Sequence, residues 1–397
     1  MTAAAEEPHR AAPKSSFFND PVIRGRIYQG LVLGAVALAI ALVAHNTAQN
    51  LARQNKTTGF DFFFSTSGFD IFFTLIPYSR TSYYWEAFLV GLLNTLLVSV
   101  LGIILATIIG FVIGIARLSR NWIISTLATI YVETLRNIPL LLILFFWYFA
   151  VLKAMPSVRE SFVLFDSVAI NNRGINIPKP IFDGSFHWVV IAFFVALAAV
   201  IALRKWSIRR MEATGQRFPL LSTALAILVF IPGVVWLASG INVDLDIPHL
   251  AGFNFRGGIS LPPEFVALLV GISLYTAAFI AETVRAGILA VNRGQTEAAQ
   301  SLGLKESDRL RLVIIPQAMR VIIPPMTNQY LNLLKNSSLA AAIGYPELVS
   351  VFMGTTLNQT GRAVEVVFIT MLVYLTFSLL TSVLMNWYNK RVALVER

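Results

Sequence analysis

Five charged residues stand inside or at the ends of stretches that otherwise carry almost no charge: Glu133, Arg136, Glu282, Arg285 and Lys335. A charge near mid-bilayer costs several kcal/mol on most scales, so such residues turn toward a bundle interior or an aqueous path. Glu133 and Arg136 are three residues apart, as are Glu282 and Arg285, a spacing that brings side chains together on one helix face. Two kinds of chemistry are open to them. They can line a path and meet the ammonium and carboxylate of a zwitterionic solute. Alternatively, they close on one another as internal ion pairs or snorkelling ends. Arg285 lies nearest a helix end and fits the structural role better. Glu133, Arg136, Glu282 and Lys335 fit both. Asn94, Thr95, Asn332 and Ser337 are polar groups in apolar surroundings, suited to holding helices together or, for Ser337 especially, to touching solute.

Other chemistries have no residues to carry them. Cysteine is absent, which removes disulfides, thiol catalysis and cysteine-rich metal sites. His9, His45, His187 and His249 show no ligand spacing, and no metal site is expected. No stretch fits the Gly-x-x-x-x-Gly-Lys-Ser/Thr loop that cradles phosphates. No nucleophile motif appears either, so the chain is not expected to be an enzyme or to bind a cofactor of its own.

The elements that position these residues are apolar. The chain has 397 residues, 56% hydrophobic and 13% charged. A soluble domain carries about 25% charged residues, so the deficit points to lipid contact. Eight stretches are long enough to cross a bilayer: about 27–44, 87–116, 122–152, 186–203, 218–240, 264–284, 322–345 and 364–388. Each must be helical, because lipid offers backbone groups no partner. The segment before the first span is long and carries acidic residues, and Leu42 stands where a signal-cleavage site needs a small residue. That span is therefore expected to stay, preceded by a disordered tail over residues 1–20.

Basic residues gather on alternate connections: Arg117 and Arg120; Arg204, Lys205, Arg209, Arg210 and Arg217; Arg285, Arg293, Lys305, Arg309, Arg311 and Arg320. Arg10, Lys14, Arg24, Arg26, Lys390, Arg391 and Arg397 add to both termini. By the positive-inside rule both termini are expected in the cytoplasm. That topology explains the net charge of +10 without nucleic acid as a partner.

The connection 286–321 is too polar to span and too patterned to be a passive linker. Thr296 is a candidate N-cap for a short helix through Leu302. Glu297 suits the helix dipole in its first turn, and Gly303 is placed to end it in the left-handed conformation. Ser307 is a candidate cap for a second short helix with Leu310, Val313 and Ile314 on one face, interrupted at Pro316. Two short helices with a corner at Gly303 are expected. Ala298 and Ala299, with Leu302 beside them, let another surface approach closely.

Glu297-Ala298-Ala299, Gly303 after three residues, and Val313-Ile314-Ile315-Pro316 after nine more resemble the EAA motif of ABC importer permeases. The departures, Val313 for Ile and Ile315 for Leu, conserve apolar character and nearly conserve volume. Three stretches resemble the polar amino-acid branch of that family: Leu135-Arg136-Asn137-Ile138-Pro139-Leu140-Leu141, Ala281-Glu282-Thr283-Val284-Arg285-Ala286-Gly287 and Lys335-Asn336-Ser337-Ser338-Leu339. The resemblance covers about 84–152 and 262–390. The larger membrane subunits of general L-amino-acid and glutamate/glutamine/aspartate importers are similar in being extended chains.

The resemblance implies an all-α polytopic membrane protein with a five-helix type I permease core. The expected division is a cytoplasmic tail over 1–26, an extra helix and periplasmic loop over 27–83, and a permease domain over 84–390. Within that domain lie an inserted helix pair at about 153–262 and a coupling loop at 286–321. The coupling residues would be Glu297, Ala298, Ala299, Gly303 and Pro316. The implied partners are two ATPase subunits carrying ATP and Mg, a second and different permease subunit, and a periplasmic amino-acid-binding protein, all at a bacterial inner membrane. A stand-alone ion-coupled transporter is the competing reading, and it would need internal repeats with broken helices. No clear repeat is visible.

Overall fold

The computed structural model describes residues 21–53, 59–182, 184, 186–216, 218–240 and 243–392. The tail expected over residues 1–20 lies outside the described residues.

The frame is helical. The first helix, α1, is Pro21–Arg53, and α2 is Tyr84–Ala116. Helix α3 (Trp122–Asn137) is followed by α4 (Leu140–Phe145), which runs on as a π-helical stretch Phe146–Leu152. Helices α5 (Phe186–Thr214) and α6 (Leu220–Ser239) form the inserted pair. Then come α7 (Pro263–Leu289), α8 (Arg293–Ser301), α9 (Glu306–Arg309), α10 (Ile315–Asn336), α11 (Leu357–Thr360) and α12 (Ala363–Val392). Among the described residues, seven helices are long and apolar enough to cross a bilayer, and an eighth crossing exists if α3 and α4 count together.

The expected span 122–152 is not straight. Its two halves meet at 109°. Pro139 explains the break: it disfavours helical backbone at the residue before it, and Ile138 is extended, with φ −101° and ψ 132°.

The core is built where α2, α7 and α10 meet. Gly102 lies beside Ile272, Gly110 beside Ala277 and Ile280, and Gly114 beside Ala281 and Val284. The paired numbers rise together, so α2 and α7 run parallel. Helix α10 runs the other way, with Ala318 and Ile322 against Gly287, and Leu333 against Gly102. Val98, Leu268, Ile272, Ile280 and Leu333 are fully buried there.

After α10 the chain tightens into a 3₁₀ turn, Ser337–Ile343, and turns a corner before a π-helical stretch, Val349–Thr356. The corner is pinned by buried polar groups. Glu347 is fully buried and accepts from the Val349 and Ser350 amides (2.8 and 2.7 Å) and from the Tyr374 hydroxyl (3.1 Å). The Thr95 hydroxyl accepts from the Leu348 amide at 3.0 Å, and the Asn94 amide donates to the carbonyls of Phe73 and Pro346 at 2.9 Å each. Thr95 and Asn94 thus hold helices together, as their setting in apolar sequence suggests.

Among the described residues, the connections flanking the inserted pair carry eight short strands that helical periodicity does not announce. Four of them, β1 (Phe162–Leu164), β2 (Val168–Asn171), β3 (Gly174–Ile177) and β4 (Lys179–Phe182), precede α5. The other four, β5 (Val243–Asp246), β6 (His249–Ala251), β7 (Asn254–Arg256) and β8 (Ile259–Leu261), follow α6. An antiparallel sheet of order β1-β2-β3-β8 stitches the two connections together, with Ile175 opposite Leu261. β4 pairs with β5, and β6 with β7. The strands therefore sit at one end of the bundle, where α7 begins, and α8 sits at the other, where α7 ends.

Candidate functional site

Two features converge on the α8 end of α7. The first is an ionic cluster. Arg117, just past α2, has a side chain only 9% exposed and donates to Glu282 on α7 and, at 3.3 Å, to Glu133 on α3. Arg285 clamps the same Glu282 with two bonds, at 2.6 and 3.0 Å, as a guanidinium and a carboxylate one helical turn apart allow. Glu282 thus accepts from two arginines, and with the Arg117–Glu133 contact the cluster ties three helices.

The expected pairing of Glu133 with Arg136 is not made. Arg136 instead lies over the Phe279 ring at 5.5 Å, a cation–π contact. It has no ion pair among the described residues. Glu133 keeps one long contact and a side chain 53% exposed. Spacing within α3 permitted the pair, but Arg117 and Phe279 on neighbouring elements compete for both groups and win. From sequence alone, Arg117 is only one of the basic residues of a connection. Its position directly after the uncharged run of α2 is the signal that could have placed it at the helix boundary.

The bend between α3 and α4 opens a cleft of about 520 Å³. Tyr131, Thr134, Ile138, Leu142, Phe146 and Trp147 line it. The Tyr131 hydroxyl donates to the Leu274 carbonyl at 2.8 Å, which fixes α3 against α7. The recess is apolar, and neither Arg136 nor Glu133 lines it.

Lys335 and Ser337 lie apart from this cluster. Lys335 is exposed in the last turn of α10, at the level of Ile272, about 15 Å along α7 from Glu282. Ser337 is buried, and its hydroxyl donates to the Leu334 carbonyl at 2.7 Å.

The second feature is α8. The expected N-cap Thr296 is already inside the helix. Asn292 takes that position, its side-chain oxygen accepting from the Gly294 amide at 2.8 Å. Gly303 does end the helix in the left-handed conformation, with φ +72°. Glu297, Ala298, Ser301 and Leu302 face outward, Leu302 80% exposed, whereas Ala299 is buried against its own chain. A bond of 3.2 Å from Gln317 to Gln295 tethers α8 to α10.

The expected second short helix does not stand alone. Lys305, not Ser307, occupies the cap position of α9, which passes through a π-helical stretch, Leu310–Ile314, into α10. Pro316 does not interrupt this run. It occupies the first turn of α10, where a missing N–H costs little.

Residues 204–394 match the family described as the binding-protein-dependent transport system inner membrane component. The chain is 52% identical to the general L-amino acid transport system permease protein of Rhizobium johnstonii, over 95% of this chain and 94% of the relative. It is 48% identical to a putative amino-acid ABC transporter permease protein of Escherichia coli, over 98% and 99%. It is 43% identical to the glutamate/glutamine/aspartate/asparagine transport system permease protein of Rhodobacter capsulatus, over the full length of both. With its multi-pass helical frame, the chain belongs to the amino-acid ABC transporter permease family.

Proposed function

We propose that this subunit forms half of the translocation path of an ATP-driven importer of L-amino acids. The observation that supports this most is α8, a short polar helix capped by Asn292, tethered through Gln295, ended at Gly303, and presenting Ala298 and Leu302 outward. A rigid projection at the joint between α7 and α10 suits docking to an ATPase. Two such subunits would carry ATP and Mg, and their closure would move α8 and, through it, α7 and α10. We place α8 and both termini in the cytoplasm of a bacterium and the strand end outside the inner membrane, facing an amino-acid-binding protein. The other half of the path would be a homologous but different permease subunit.

The named substrates of the relatives, general L-amino acids in one and glutamate, glutamine, aspartate and asparagine in another, support the substrate class. On α3, Arg136, which makes no ion pair among the described residues, would meet the carboxylate, and the half-exposed Glu133 the ammonium.

The test is to tag the chain in its native membrane, solubilise it gently and identify what co-purifies. Recovery of an ATPase subunit with the wild-type chain, and its loss with Gly303→Asp, would support the reading. A chain that emerges alone under conditions that preserve known complexes would refute it.

A further inference from the structure

We infer that the end of α5 remote from the strands is a binding site for anionic phospholipid headgroups. At 1.5 Å per residue, the apolar stretch from Phe186 to Leu203 measures about 27 Å, close to the thickness of a bilayer core. The helix nevertheless runs on to Thr214, whereas its partner α6 begins only at Leu220. The overhang starts with Arg204 and Lys205 and continues with Arg209 and Arg210. Four cations thus begin where the apolar stretch stops, at headgroup depth.

Arg204, Lys205 and Arg209 are exposed, and at 100° per residue they cover an arc of about 140°. Ser207, the buried residue of this segment, lies outside that arc. None of the four cations has an ion pair among the described residues, although Glu212 lies on the same helix. Arg210 is folded over the Trp206 ring at 5.3 Å and donates to Gln216 at 3.3 Å. Trp206 sits edge-on against Phe218 and stays half exposed, the setting of an indole in an interfacial aromatic belt.

The surroundings select the ligand. Helices α5 and α6 pack on each other and only marginally on any other helix. No residue of α6 is buried. Nothing else in this chain, among the described residues, covers the hairpin's flank, and a lipid phosphate is a counter-charge present at that depth. Juxtamembrane clusters of this size draw anionic headgroups strongly.

The assembled transporter would be purified and placed in nanodiscs of phosphatidylcholine mixed with cardiolipin. Lipid retained after detergent extraction would then be counted by native mass spectrometry. The wild type should retain cardiolipin over phosphatidylcholine. The triple variant Arg204→Gln, Lys205→Gln, Arg209→Gln should lower that retention at least about tenfold. The charge-keeping pair Arg204→Lys, Arg209→Lys should retain it, as should the control Arg120→Gln, Lys390→Gln from the same side of the membrane. Wild-type levels in the triple variant, or no preference in the wild type, would overturn the proposal. So would equal displacement by inorganic phosphate, which would assign the cluster to soluble anions. Loss of a protein subunit from the triple variant with cardiolipin unchanged would assign it to a protein interface instead.

Discussion

Gly114 of α2 lies directly against the backbone of Ala281 on α7: a Cβ at position 114 would fall 2.7 Å from the Ala281 carbonyl oxygen and 2.8 Å from the Val284 Cβ. Neither neighbour is the flexible end of a side chain, so α2 and α7 would have to separate. Gly114→Ala is expected to destabilise the subunit by about 3 kcal/mol through overpacking. Gly102→Ala, whose Cβ would meet Leu333 at 3.4 Å, should be nearly neutral. Thermal unfolding of the two purified variants checks the contrast. Equal melting would mean that the α2–α7 contact yields easily.

The same two helices are locked by charge next to that contact. Glu282 forms ion pairs with both Arg285 and the nearly buried Arg117. Glu282→Gln removes the carboxylate and leaves two guanidinium groups facing each other. The expected cost is about 2 kcal/mol, below that of a fully buried pair because Glu282 is about a quarter exposed. Adding Arg117→Met should recover part of the loss. A single variant that melts like the wild type would show that the cluster does not hold the helices, and would reassign Glu282 to the solute path.

These contacts mark where sequence stops being informative. The helical frame was legible because apolar runs without charge have few other stable forms in lipid. The α3–α4 bend was signalled by Pro139, yet the apolar runs on both sides of it read together as one span over 122–152. The strands are three or four residues long, too short for an alternating pattern to appear, and their main sheet depends on β3 meeting β8 from a distant connection. Within the site, spacing found the Glu282–Arg285 pair because both residues share a helix. It missed Arg117, which joins the cluster only once α2 and α7 lie side by side. Gly303 was legible because a left-handed helix end has few alternatives. Pro316 was misread because a breaker in mid-pattern and a proline in a first turn look alike without the preceding π-helical stretch.

Leu302 separates docking from folding at α8. It is 80% exposed, so Leu302→Asp should change stability by less than about 0.5 kcal/mol. If α8 docks on an ATPase, the same change places a charge in an apolar contact and should abolish transport and nucleotide-dependent complex formation. Ser301→Ala, one residue earlier on the same face, should be tolerated. Transport by Leu302→Asp at the wild-type rate would show that this face of α8 meets nothing.

Arg136 offers the sharpest test of the solute path, because its removal should leave the fold intact. It is exposed and makes no ion pair among the described residues, and its ring contact with Phe279 is worth about 0.5 kcal/mol at such a site. Arg136→Gln should therefore melt within a degree or two of the wild type. If Arg136 meets the solute carboxylate, transport should fall at least about tenfold, because a charge-assisted hydrogen bond contributes roughly 1.5–3 kcal/mol. Glu133→Gln should lower transport as well, but less, since Arg117 already occupies one of its oxygens. The two effects should not add in the double variant if both groups hold one zwitterion. Additive losses would place them on separate steps, and unchanged transport in both variants would move the path away from the α3–α4 bend.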